Sequence, residues 1–105
     1  MIRVRIGTDE RDMTSDIDEQ WINQQINRRR ADGERVCIRI TINEPGLNVT
    51  LATPTCGGSE GGGRAPNVPE GEVIALWLSR GLGQADFAGG NLVAFLKQLR
   101  SLVGS

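Results

Sequence analysis

Val36-Cys37-Ile38-Arg39-Ile40-Thr41-Ile42, then Asn43-Glu44-Pro45-Gly46, then Leu47-Asn48-Val49-Thr50-Leu51, is the stretch from which the fold can be built. Val36, Ile38, Ile40 and Ile42 alternate with Cys37, Arg39 and Thr41, the period of two of a strand with one face buried. Pro45 presets its own φ and Gly46 accepts a positive one, so Glu44-Pro45-Gly46 is a turn, and Leu47, Val49 and Leu51 resume the alternation. Pairing Asn43 with Asn48 closes a hairpin that sets Ile42 opposite Val49 and Ile40 opposite Leu51. A slip of one residue would break each apolar pair. The same register aligns Thr41 with Thr50 and Arg39 with Ala52 on the other, polar face.

Upstream, Ile2-Arg3-Val4-Arg5-Ile6 also alternates and predicts a first strand, whose Arg3 and Arg5 can join Arg39 on the polar face. Gly7 to Thr14 is polar without periodicity and reads as a loop. Asp16-Ile17-Asp18-Glu19 then resembles a helix N-cap. The helix runs to about Ala31, with Ile17, Trp21, Ile22 and Ile26 on one stripe and Gly33 just past its end. A crossover through this helix would make the first strand parallel to the second.

Downstream, Pro54 to Val68 holds Cys56-Gly57-Gly58-Ser59-Glu60-Gly61-Gly62-Gly63-Arg64 and two prolines, a composition for a flexible loop rather than regular structure. Pro69 suits the first position of a helix carrying Val73, Ile74, Leu76, Trp77 and Leu78 and ended by Gly81. Asn91 would cap a last helix, whose Leu92, Phe95, Leu96, Leu99, Leu102 and Val103 recur at spacings of three and four. The order is β-α-β-β-α-α. The expected fold is a single α+β domain over residues 1–105, a small three-stranded sheet with helices packed on one face.

Composition narrows the chemistry. The chain has no His, which removes His general bases, His-assisted nucleophiles and the commonest metal ligand. A formal net charge of −1 gives no whole-protein attraction to nucleic acid or an anionic membrane. No stretch approaches the roughly 20 apolar residues of a membrane span, and the expected address is the cytoplasm. Neither a cofactor nor a metal is expected. Asp9-x-x-Asp12 lacks calcium-loop spacing and reads as part of a solvated acidic loop.

Two cysteines are too few for a disulfide framework. In the derived register Cys37 faces Pro54, leaving Cys56 diagonally displaced by about 7–8 Å between Cα atoms. That exceeds comfortable disulfide geometry unless the chain bends at Pro54, so two free thiols are expected. Cys56, at a strand end, is then the candidate nucleophile, with Arg35 or Arg64 as the cation that would lower its pKa. The glycine loop with Arg64 lacks the spacing of a phosphate-binding loop and reads as a tether. Arg28-Arg29-Arg30 suits the negative end of the first helix dipole.

The leading expectation is a non-catalytic interaction module that binds another protein, or a second copy of itself, through the sheet face or the C-terminal helix pair. The alternative is an anion or nucleic-acid binder using the face that bears Arg3, Arg5, Arg39, Thr41 and Thr50, together with Arg64. Stacking aromatics, usual on single-strand-binding sheets, are missing from these strands. A thiol-dependent enzyme built on Cys56 is the second alternative.

Overall fold

The computed structural model describes residues 1–13, 16–56, 67–84 and 86–103. Its elements are β1 (Ile2–Ile6), β2 (Asp9–Asp12), α1 (Glu19–Ala31), β3 (Ile38–Glu44), β4 (Leu47–Ala52), a 3-10 turn (Pro54–Cys56), α2 (Val68–Ser79) and α3 (Gly89–Val103). The class is α+β. The sheet has four strands rather than three, all neighbours antiparallel, in the order β2-β1-β3-β4.

The hairpin register is the one the alternation predicts: Asn43 pairs with Asn48, Ile42 with Val49, Thr41 with Thr50, Ile40 with Leu51 and Arg39 with Ala52. The Pro45-Gly46 turn has Gly46 at φ 77°, the left-handed region that glycine enters without a Cβ penalty.

The additional strand corrects the sequence reading. β2 is Asp-Glu-Arg-Asp, with no apolar side chain to create an alternation, so it reads as loop. It forms because Gly7, at φ 63°, turns the chain back on β1, and because charged side chains suit a strand at the sheet edge. The chain therefore enters α1 from β2, and β3 lies antiparallel to β1, not parallel to it. The strands the helix actually joins, β2 and β3, both oppose β1 and so run parallel to each other.

One face of the sheet turns its apolar side chains into the core. Ile2, Val4, Ile6, Ile38, Ile40 and Ile42 are all fully buried there. α1 packs over β1, α2 against β4, and α3 touches both other helices. Phe95 of α3 is buried and meets Trp77 of α2 edge-on, with ring centroids 5.3 Å apart. Trp21, in contrast, is only half-buried, with the Arg11 guanidinium 4.9 Å from its ring centroid.

Local chemistry sets the helix ends. Asp18 caps α1 by accepting from the Trp21 N–H, and the arginines at its other end do more than cap. Arg29 reaches Asp9 at 2.6 Å and Glu34 at 3.2 Å, and Arg30 donates to the Phe87 carbonyl at 2.6 Å. The hydrogen bond to Asp9 raises the Arg29 pKa above its ordinary value. Asn67 caps α2 through a reciprocal capping box with Glu70, and the helix begins at Val68, which makes Pro69 its second residue rather than its first. Asn91 is the third residue of α3 and not its cap.

Candidate functional site

The sheet face opposite the core carries polar side chains. Register places its side chains in two rows running across all four strands: Asp12, Arg3, Thr41, Thr50, and then Glu10, Arg5, Arg39, Ala52. All five sheet-face residues named from the sequence thus do share a surface, with Arg5, Thr50, Glu10 and Asp12 exposed and Arg3, Arg39 and Thr41 half-buried.

The two carboxylates are what the sequence reading missed. Arg3 Nε donates to Asp12 Oδ1 at 2.9 Å and lies 3.7 Å from Glu10 Oε1, and the hydrogen bond it gives to Asp12 raises the Arg3 pKa. Arg5 Nε donates to the Gly7 carbonyl at 3.2 Å and its Cα stands opposite that of Arg39. The face is a mixed array of three guanidinium groups and two carboxylates, not a basic patch. The only sequence signal was that Glu10 and Asp12 lie two apart, the spacing of one strand face.

Cys56 is not a free thiol. It is bonded to Cys37, with the two Cα atoms 4.5 Å apart. The expectation of two free cysteines fails for a local reason. After Thr53, whose N–H still bonds to the Ile38 carbonyl, the chain leaves the hairpin ladder and winds into the 3-10 turn at Pro54–Cys56, bringing Cys56 back to Cys37. Hydrogen bonds hold this bend: the Thr53 hydroxyl oxygen accepts from the Ile38 N–H at 3.1 Å, and the Thr55 hydroxyl donates to the Val36 carbonyl at 2.5 Å. A disulfide sulfur has no proton to give and no thiolate to attack with, so in this state Cys56 cannot act as a nucleophile. Arg64 lies outside the described residues, as does most of the glycine segment.

A shallow depression of about 160 Å3 lies beside α1, lined by Arg11, Asp18, Gln20, Trp21 and Gln24. Arg11 and Asp18 are paired across it. Among the described residues no group of three or more His, Cys, Asp or Glu side chains could hold a metal ion. No described helix is long and apolar enough to cross a membrane.

The outer face of α2 is the second surface. At 100° per residue, Val68, Gly71, Ala75 and Leu78 fall within an arc of about 80°, opposite the buried Val73 and Trp77. Val68 is 76% exposed and Leu78 59% exposed. Between them Gly71 has no atom within 4 Å of where a Cβ would stand, so the middle of the arc is a notch. Of the polar residues in α2, Glu70 is buried, Ser79 bonds to its own helix at the Leu76 carbonyl, and Glu72 stands at the flank. The sequence shows α2 as an apolar helix; which of its sides lacks a cover emerges only from the packing.

No protein-family model, curated protein or solved structure matches this chain.

Proposed function

We propose that the protein is a non-catalytic interaction module that binds another protein through the outward arc of α2. The observation that carries this reading is the exposure of Val68 and Leu78 on either side of Gly71 and Ala75. A helix that is apolar on nearly all sides is normally covered on all sides. α2 sits on the surface of its own domain with such a composition, and a partner would supply the missing cover.

Anion binding through Arg3, Arg5 and Arg39 receives less support. A phosphate arriving there would compete with Asp12 and Glu10 for Arg3, and no aromatic side chain on the face offers a base a stacking surface. Thiol catalysis would first require reduction of the Cys37–Cys56 bridge. That bridge also weighs against a cytoplasmic address, since disulfides persist chiefly in oxidising compartments.

Affinity capture with the full chain tests the reading when wild type is compared with Leu78→Asp, a change at an exposed position that places a charge in the arc. The module reading expects capture of a protein by wild type and its loss in the variant. Equal capture by both would remove α2 as the binding face.

A further inference from the structure

Asn48-Val49-Thr50 is the one place in the chain where an Asn is followed two positions later by Ser or Thr, with a residue other than Pro between them. That triplet is the acceptor signal for N-linked glycosylation, used where the Asn lies at the surface of a protein that passes through an oxidising, secretory compartment. Both conditions have structural support here. Asn48 and Thr50 are exposed residues of β4, and their side chains stand on the polar face while Val49 and Leu51 turn to the core. Neither side chain has a hydrogen-bond partner among the described residues, so the amide is not committed elsewhere. The Cys37–Cys56 bridge is an independent sign of the compartment, since disulfides persist where thiols are not kept reduced.

We infer that Asn48 carries an N-linked glycan. Its attachment forms a bond from Asn48 Nδ2 to the reducing-end carbon of an oligosaccharide. The bond from that carbon to the diphosphate of a lipid carrier breaks, the lipid diphosphate leaves, and a base of the transferase takes one amide proton. The Thr50 hydroxyl, two residues on and on the same side of the strand, is the group read together with the amide. The backbone N–H of Asn48 goes to Glu70 at 3.0 Å, so the sugar and the tie to α2 use different groups of the residue.

The two edges of the sheet give such a glycan a purpose. β2 is charged at every position, Asp-Glu-Arg-Asp, whereas β4, Leu-Asn-Val-Thr-Leu-Ala, has no charge and no Pro. Thr53 points its N–H at β3, so by alternation those of Thr50 and Ala52 point away from it, and among the described residues they have no partner. An uncharged edge with unpaired N–H groups is a template for a second strand. A sugar rooted at Asn48, far larger than a side chain, stands in the way of that approach. The inference does not depend on which face binds a partner.

Intact-mass measurement on the chain isolated from the cells that naturally make it decides the matter. The wild-type mass should exceed that of the bridged polypeptide by a whole number of sugar units. A peptide-N-glycosidase should remove the excess and convert Asn48 to Asp, which peptide sequencing locates. Thr50→Val keeps the β-branched shape at an exposed position but deletes the hydroxyl, and it should lose the whole excess. Thr50→Ser restores the hydroxyl and should keep the sugar. Asn48→Gln, with its amide one carbon further out, should lose it. A wild-type chain at the bare polypeptide mass, or an excess that survives Asn48→Gln, overturns the inference.

Discussion

The carboxylate of Glu70, buried at the start of α2, accepts a hydrogen bond from the backbone N–H of Asn48 on β4 at 3.0 Å. β4 is an edge strand, and Asn48 sits in a pair whose N–H groups point away from each other: Asn43 donates to Met1 on the far side. The Asn48 N–H would otherwise have no strand to meet. The other oxygen of Glu70 accepts from the Asn67 N–H at 3.0 Å, so one side chain both caps α2 and ties it to the sheet. The tie holds the first turn of α2 to β4 on the same side as the buried Val73 and Trp77.

Glu70→Ala should therefore cost more than a surface cap. The loss of charge-assisted bonds and of the capping box predicts a destabilisation of about 2–4 kcal/mol. Urea denaturation measures it. A change below about 0.5 kcal/mol would show that the Glu70–Asn48 link contributes little.

The carboxylates of β2 should control what the polar sheet face can bind. Removing them with Glu10→Gln/Asp12→Asn takes away both acidic partners of Arg3. Affinity for a short single-stranded oligonucleotide should then rise roughly tenfold at low salt and fall again as salt is added. Fluorescence anisotropy reads the effect. Tight binding by wild type, unchanged in the variant, would restore the face as a genuine anion site.

Cys37→Ser/Cys56→Ser should lower stability by about 1–3 kcal/mol, because a crosslink closing a loop of this size stabilises by roughly 3 kcal/mol at most and the β3–β4 ladder already closes most of it. Hydrogen exchange should locate the loosening at the Thr53 and Cys56 amides, whose acceptors are Ile38 and Thr53. Intact-mass measurement after alkylation without reductant checks the premise: two alkylated thiols in the wild-type protein would contradict the bridge.

Much of the architecture was legible because burial leaves a period. Ile38, Ile40 and Ile42 against Leu51 and Val49 specify the hairpin and its register, and the stripe of Ile22 and Ile26 specifies α1. β2 was not legible, since a polar edge strand writes no hydrophobic alternation. The disulfide was misread because register predicts where a straight strand goes, and the chain bends after Thr53 through side-chain hydrogen bonds that leave no periodic trace. The arginine face was found, but its neutralising partners lay in the strand that was missed. The exposure of Val68 and Leu78 depends on which side of an apolar helix meets the sheet, a tertiary fact.

The most direct test of the central claim compares two placements of a photo-activated cross-linker in the full chain, at Ala75 on the outer arc of α2 and at Thr50 on the polar sheet face, both exposed positions. The account predicts covalent protein adducts from Ala75 and none above background from Thr50. Adducts from Thr50 with none from Ala75 would contradict it.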